Sequence, residues 1–170
     1  MATTLDNLAV LCGRANRQDE ALRLARRGLA IREKVLGSNH PDVARSLNNL
    51  ASLYYTRGWY RQAEGLFNQA LTVTERSLGK DHSDLVPILN NSAVLYGTQG
   101  RYMKAEAMLH RSLTIREKGG EPERVLAALE NLAGLYRISG RYSKAEPLLR
   151  RWLELCRQIR GENNSDLAAK

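Results

Sequence analysis

The sequence is poor in the residues and runs that mark several classes of protein. Its only two cysteines, Cys12 and Cys156, lie near opposite ends of the 170 residues, which argues against a disulfide framework and a zinc site. Its apolar runs, such as that from Leu8 to Cys12, are too short to span a membrane. The first residues lack the basic and apolar regions of a signal peptide. These absences favour a cytoplasmic protein without membrane insertion.

Motifs for catalysis and cofactor binding are also missing. The chain has no glycine-rich phosphate loop, no His-Glu-x-x-His motif, no Cys-x-x-Cys pair and no nucleophile elbow. The histidines His40 and His82 recur in the same turn without a third ligand, so we expect them to bond local backbone. We therefore predict that the protein is not an enzyme, uses no cofactor and binds no metal.

An internal repeat is the most prominent feature that the sequence does contain. Four similar segments begin at Leu5, Leu47, Leu89 and Leu129, with spacings of 42, 42 and 40 residues. Repeats of this length are typical of stacked supersecondary units that form a solenoid. We expect repeats 1 to 4 at about 2–40, 41–82, 83–121 and 122–161, with 162–170 as a partial next helix.

Each repeat is predicted to contain two helices. In repeat 2 the first helix carries Leu47, Leu50 and Leu53, which follow a helical stripe and not the alternation of a strand. This helix is expected to end near Gly58, because glycine tolerates the left-handed conformation that follows many helices. The matching positions in the other repeats are Asn16, Gly100 and Gly140.

The turns between repeats contain signals for the start of the next helix. Asn39 and Asp81 stand just ahead of the predicted first helices of repeats 2 and 3, where Asn or Asp commonly caps a helix. Pro41 suits the first helical position. The sequence therefore predicts caps from Asn or Asp at these boundaries.

This pattern resembles the tetratricopeptide repeat family. The family's Leu-Ala-x-x-Tyr element appears at Leu50–Tyr54 and Leu132–Tyr136, and its Ala-x-x-x-Phe-x-x-Ala element appears at Ala63–Ala70. The 42-residue period and the Gly-x-Tyr-x-x-Ala-Glu element are most similar to kinesin light chain repeats. The resemblance implies an all-α fold, a right-handed α-solenoid of four helix-turn-helix units plus the start of a fifth, as a single array over residues 1–170.

One position of the first helices is asparagine in all four repeats, namely Asn7, Asn49, Asn91 and Asn131. Asparagine is a mediocre helix former, so its recurrence needs a compensating role. An amide both donates and accepts, so a ladder of amides along the concave wall of first helices can bind the backbone of an extended peptide. This resembles the role of asparagine in grooves of the family. The alternative is that each asparagine bonds the neighbouring repeat and sets the superhelix.

Other groove candidates share the predicted face of the first helices. They are Asn48, Asn90, Arg14, Arg45, Ser52, Tyr55 and Arg137. The three arginines can pair with carboxylates in a bidentate manner. The resemblance to kinesin light chain, whose basic groove takes peptides with acidic residues, implies a protein or peptide partner, including acidic ones.

The charge balance bears on the choice of partner. Lys and Arg number 26 against 18 Asp and Glu, giving a net charge of +8 that is spread along the chain and argues against nucleic acid. We expect a non-catalytic protein–protein interaction module that binds a partner peptide in its concave groove, as adaptor or scaffold. The alternatives are a structural spacer, self-association through the stack ends, and electrostatic binding of nucleic acid through a basic outer face.

Overall fold

A computed structural model describes the chain from Ala2 to Ala168, apart from the side chains of Arg14 and of residues 162–168. Every regular element in this part of the chain is an α-helix. The helices are α1 (Ala2–Arg14), α2 (Gln18–Leu36), α3 (Pro41–Thr56), α4 (Tyr60–Leu78), α5 (Leu85–Thr98), α6 (Tyr102–Gly119), α7 (Pro122–Ile138) and α8 (Tyr142–Ala168). The predicted all-α fold with two helices in each repeat is therefore confirmed.

The helices form two compact units, an N-terminal unit of residues 1–95 and a C-terminal unit of residues 96–170. In the N-terminal unit α2 packs against α1 and α3, and α3 packs against α4. Ala51 and Ala63 are fully buried, and Phe67 is buried beside them, so small residues let α3 and α4 approach closely around one aromatic ring. In the C-terminal unit α7 packs against both α6 and α8.

The turn within each helix pair has the predicted left-handed residue. Gly58 has a φ of 76°, and Asn16 has a φ of 59° at the same position of repeat 1. Around Gly58 the N–H of Trp59 donates to the carbonyl of Tyr54, and the N–H of Gly58 donates to that of Tyr55. These two bonds form a Schellman motif, which satisfies carbonyls at the end of α3.

The caps between repeats differ from the prediction in one respect. The N-cap of α3 is His40, whose Nδ1 accepts from the N–H of Asp42 at 3.1 Å. Likewise, His82 Nδ1 accepts from the N–H of Asp84 at 3.2 Å. The expectation that these histidines bond local backbone is confirmed, whereas the assignment of the α3 cap to Asn39 was wrong. Asn39 lies one residue too early, because Pro41 is already the first helical residue.

The last helix also differs from the sequence prediction. Residues 162–168 continue α8 without a turn, where the start of a separate helix was expected. Gly161 does not adopt a positive φ, and the residues after it lack the Leu-Gly-x-x-His turn of the earlier repeats. The division of 1–170 into repeats of one array remains a prediction.

No helix of the described chain is long and apolar enough to cross a bilayer.

Candidate functional site

A groove opens between the first two repeats of the N-terminal unit, where α1 and α3 lie side by side above α2. Its volume is about 360 Å³, and its surface is mostly apolar. The apolar lining includes Val10, Gly13 and Leu53, and the polar lining includes Asn49, Ser52 and Thr56. We call this feature the α1–α3 groove. It contains two of the predicted site residues, Asn49 and Ser52.

Close approach of the two helices gives the groove its narrow floor. A β-carbon built on Gly13 would lie 3.3 Å from Leu53 Cδ2, closer than an ordinary van der Waals contact. Val10 stands one turn before Gly13 and remains 42% exposed, so the groove presents an uncovered apolar wall. The sequence analysis did not select either residue, although they occupy the positions of Ser52 and Tyr55 in the repeat.

The hydroxyl groups in the groove already donate hydrogen bonds to backbone carbonyls of α3. Ser52 Oγ donates to the carbonyl of Asn48 at 3.0 Å, and Thr56 Oγ1 donates to the carbonyl of Leu53 at 2.9 Å. A hydroxyl has one proton and two lone pairs, so these oxygens can serve only as acceptors to anything that enters the groove. Asn49, which is half-buried, brings an amide with both donors and an acceptor.

Asn91 is engaged by the preceding repeat. Its Nδ2 donates to Asn48 Oδ1 at 3.0 Å and lies 3.4 Å from Ser52 Oγ. Asn48 is only 8% exposed. This geometry matches the alternative interpretation of the asparagine ladder at Asn91, namely a bond between neighbouring repeats. Asn48, Ser52 and Asn91 thus form one small network that joins α3 to α5.

In repeat 1 the position of Asn48 is occupied by Asp6, which is also buried. The Asp6 carboxylate pairs with Arg32 Nη1, and Ser46 Oγ lies 2.6 Å from the same guanidinium nitrogen. A buried ion pair of this kind tolerates the loss of either partner poorly. The sequence analysis missed this ion pair, because an arginine on α2 is expected to lie at the surface. Its place on the buried side of that helix was the available signal.

The remaining predicted site residues lie in different surroundings. Arg45 is exposed and its Nη2 binds Asp42 Oδ1 at 2.6 Å, while the ring of Tyr55 lies 5.7 Å from that of Tyr60. Asn90 is half-buried, and its Oδ1 has no hydrogen-bond partner among the described atoms. Three further residues are exposed: Asn7 on α1, and Asn131 and Arg137 on α7 of the C-terminal unit. The side chain of Arg14 lies outside the described part of the chain.

The C-terminal unit holds a charged cluster between repeats 3 and 4. Glu106 on α6 accepts from the Tyr136 hydroxyl at 2.7 Å and from Lys144 Nζ at 3.1 Å, and it also pairs with Arg141 Nη1. Because the Tyr136 proton goes to Glu106, His110 Nε2, at 3.1 Å from the same hydroxyl oxygen, is the donor to it. We call these five residues the Glu106 cluster.

The cluster shifts the titration of two of its members. Burial alone would raise the pKa of the Glu106 carboxyl, but hydrogen bonds from Tyr136, Lys144 and Arg141 together with the Arg141 charge lower it to about 2. Burial and the hydrogen bond to Glu106 raise the pKa of Tyr136 to about 12. All five residues are held by contacts between repeats 3 and 4, so the cluster joins these two repeats.

Comparison with known proteins gives one family and several similar structures. The sequence pattern described as tetratricopeptide repeat matches residues 1–76, 60–118 and 84–158. The crystal structure of BtubC (BKLC) from P. vanneervenii is 27% identical over 94% of this chain and 65% of that one, with a TM-score of 0.84. The chain therefore spans less than two thirds of the BtubC chain. No curated protein shows a significant sequence match.

Two more distant structures share the fold. A putative kinesin light chain from Podosopora anserina with nearly identical TPR-like repeats is 24% identical over 93% of this chain and 76% of its own, with a TM-score of 0.76. Aspartyl phosphate phosphatase F from Bacillus subtilis is 14% identical over 93% of this chain and 40% of its own, with a TM-score of 0.80. Together with the helix pairs, these similarities confirm the predicted α-solenoid class and its likeness to kinesin light chain repeats.

Proposed function

This chain belongs to the tetratricopeptide repeat family, and we propose that its α1–α3 groove binds an extended segment of a partner protein. Repeats of this family form protein-interaction modules, so the chain is a module of that class. In such modules, the rigid repeats present a binding surface and the partner supplies a flexible segment. The proposed role is that of an adaptor or scaffold without catalytic activity.

The observation that carries this proposal is that the groove combines an exposed apolar wall with polar groups whose roles as hydrogen-bond donors or acceptors are defined. Val10 and Leu53 offer apolar surface to a ligand side chain. Thr56 offers a hydroxyl oxygen that can only accept, which suits a backbone N–H of the ligand. Asn49 can both donate to and accept from the same peptide unit. An extended backbone with one apolar side chain matches this combination, because its N–H and C=O groups alternate along its length.

Arg45 lies outside the lining of the α1–α3 groove and is the residue that would select acidic side chains beside the bound segment. It lies one helical turn before Asn49 on α3, and its guanidinium is already held by Asp42. A ligand carboxylate would therefore exchange with Asp42 and gain only the difference between two exposed ion pairs, which is small. We infer that acidic residues tune selectivity, and that the apolar side chain and Asn49 supply most of the affinity.

The proposal is tested by selecting peptides and changing Asn49. Random twelve-residue peptides displayed on phage are enriched on the intact chain, and the best binder is synthesised and measured by fluorescence anisotropy. Asn49→Ala should weaken its binding by about 1–3 kcal/mol, or roughly 5- to 150-fold, because a partly buried amide loses its partner. Val10→Glu should weaken binding as well, since it places a charge in the apolar wall.

The matched control is Asn68→Ala, because Asn68 is an exposed asparagine on α4, outside the groove. All three variants, Asn49→Ala, Val10→Glu and Asn68→Ala, should keep the circular dichroism spectrum of the intact chain. Equal affinity of all variants for the selected peptide would show that the peptide binds elsewhere. Asn91 is unsuitable for this test, because its bond to Asn48 also joins two repeats.

A further inference from the structure

The boundary between repeats 1 and 2 lacks the carboxylate that stands at the centre of the Glu106 cluster. In the C-terminal unit, Glu106 accepts from the Tyr136 hydroxyl and from Lys144 Nζ. In repeat 1 the position of Glu106 is occupied by Leu22, which is buried and has no polar atom in its side chain. The tyrosine of the following repeat, Tyr54, is nevertheless present. The chain thus has the donor of this contact between repeats 1 and 2 without its acceptor.

The Tyr54 hydroxyl binds an arginine and keeps its own proton. Its oxygen accepts from Arg26 Nε at 3.1 Å and from Arg26 Nη2 at 2.5 Å, and these two bonds use both of its lone pairs. Arg26 stands at the position of His110 in repeat 3. Among the residues that the structure describes, no acceptor receives the Tyr54 proton and no carboxylate pairs with Arg26. The hydroxyl can therefore only donate, and it does so beside a guanidinium.

The carboxylates closest in sequence on α2 already have partners. Asp19 pairs with Arg57, and Glu20 pairs with Arg17. The side chain of Arg26 is exposed, and three of its five N–H groups are not bound to Tyr54. Arg26 therefore presents a charge and donors that an external anion can reach.

Trp59 adds an exposed aromatic ring to this surface. It is 41% exposed, and its ring centroid lies 5.5 Å from that of Tyr54. The other repeats have arginine at this position, and the one in repeat 4, Arg141, pairs with Glu106. Tryptophan cannot form such an ion pair, so it offers apolar surface instead. We call Arg26, Tyr54 and Trp59 the Tyr54 site.

We propose that the Tyr54 site binds an aspartate or glutamate side chain of a partner protein, together with an apolar residue beside it. Tyr54 and Arg26 donate to the carboxylate, in the way that Tyr136 and Lys144 donate to Glu106 within the chain. Trp59 packs on the apolar neighbour. The site is built by repeats 1 and 2 alone, and none of its three residues lines the α1–α3 groove, so it is a contact beyond the proposed function.

A carboxylate fits the site better than a phosphate does. A phosphate group carries nearly two negative charges and three strong acceptor oxygens. The site offers one guanidinium without an ion pair and one hydroxyl proton, which match the single charge and the two oxygens of a carboxylate. The Glu106 cluster shows a carboxylate held by the equivalent tyrosine.

The probe for this site is the peptide acetyl-Leu-Glu-Leu-amide, titrated into the full chain at constant ionic strength. The chain carries Trp152→Phe, which leaves Trp59 as its only tryptophan, so tryptophan fluorescence reports on the Tyr54 site. We expect a saturable change with a Kd of about 1–10 mM, because exposed ion pairs supply little affinity.

Variants of the chain test the two donors. Arg26→Gln should weaken the peptide roughly fivefold or more, and Tyr54→Phe should weaken it about threefold. The matched control is Arg27→Gln, which removes the same charge from an exposed neighbour on α2 and should leave the Kd unchanged. Arg26 is exposed and phenylalanine keeps the ring of Tyr54, so we expect the variants to fold, which thermal unfolding monitors.

Two further peptides test the chemistry of the ligand. Acetyl-Leu-Gln-Leu-amide should bind roughly fivefold more weakly or not at all, and the phosphoserine peptide acetyl-Leu-pSer-Leu-amide should bind no more tightly than the glutamate peptide. The proposal is overturned if the glutamate peptide leaves Trp59 fluorescence unchanged up to about 50 mM, or if it binds no better than the glutamine peptide. Equal binding to the Arg26→Gln, Tyr54→Phe and Arg27→Gln chains would also overturn it. Binding of the phosphoserine peptide about tenfold more tightly would identify a phosphate as the ligand and overturn the assignment to a carboxylate.

Discussion

At the residue scale, one position in the first helices carries Asp6 in repeat 1 and Asn48 in repeat 2, and both side chains are buried. Asp6 binds an arginine from α2, while Asn48 accepts from Asn91 of the next repeat. Buried polar groups need partners, and here the partners come from neighbouring helices. The same position thus joins helices by an ion pair in one repeat and by an amide pair in another.

The Asp6–Arg32 ion pair provides a prediction about stability. Asp6→Ala should lower the free energy of unfolding by about 3–5 kcal/mol, because it leaves a buried guanidinium without its carboxylate. The double variant Asp6→Leu/Arg32→Met should cost much less, since it removes both charges. Urea unfolding followed by circular dichroism measures these differences. A single variant that is no less stable than the double variant would contradict the assignment.

The Glu106 cluster provides a prediction about pH. The folded pKa of Glu106, about 2, lies below its ordinary value of 4.5, so ionised Glu106 stabilises the fold above pH 4.5 and this contribution is lost as the pH falls toward 2. Near pH 6 Glu106→Gln should lower the free energy of unfolding by about 1–2 kcal/mol, allowing for solvent near the carboxylate. Urea unfolding of both proteins at pH 6 and pH 2.5 should show this difference shrinking. A difference that does not depend on pH would contradict the role given to the charge.

At the element scale, the helix ends are fixed by a few residues of special conformation. Gly58 adopts a φ of 76° in the turn between α3 and α4, and a histidine caps α3 through its ring nitrogen. Glycine accepts such a conformation without the steric cost that a β-carbon brings. The helix pair of repeat 2 therefore depends on Gly58 more than on the other glycine nearby, Gly65, which lies inside α4.

Two glycine substitutions test this difference. Gly58→Ala should lower the free energy of unfolding by about 1–2 kcal/mol, because alanine is strained at positive φ. Gly65→Ala should raise it by about 0.5–1 kcal/mol, because alanine is the better helix former and its β-carbon would meet no atom within 4 Å. Thermal unfolding of the two variants should move in opposite directions. A shift of the same sign in both would contradict the role of Gly58.

The elements of the repeat could be predicted from sequence because each depends on local signals. Leucine spacing indicated the helices, and the recurrent glycine or asparagine indicated the turns. A bond from Asn91 to the neighbouring repeat was one of two alternatives, but its partner Asn48 could not be predicted, because no local signal shows which side chain of α3 faces Asn91. The end of α8 was predicted wrongly because Gly161 resembles a turn glycine in sequence but lies within the helix.

The candidate site could be predicted only in part. Asn49 and Ser52 were identified from their repeat position and do line the α1–α3 groove. Val10 and Gly13 were missed, because a small or apolar residue on a first helix has the same sequence signature whether it lines a groove or fills the core. Their importance appears only once α1 and α3 are placed side by side.

At the scale of the whole molecule, the proposed function rests on the α1–α3 groove. The α1–α3 groove in the N-terminal unit combines apolar walls with hydrogen-bond acceptors. An extended segment suits this combination, because its backbone N–H groups can donate to the acceptors.

The central claim, that the α1–α3 groove binds an extended partner segment, is tested most directly by locating a bound peptide. A photoreactive phenylalanine analogue replaces the apolar residue of the selected peptide, and mass spectrometry identifies the residues of the chain that it labels. The account predicts labelling within residues 6–13 of α1 and 49–56 of α3, with loss of labelling in Asn49→Ala. Labelling confined to α2, α4 or α8, unchanged by Asn49→Ala, would contradict it.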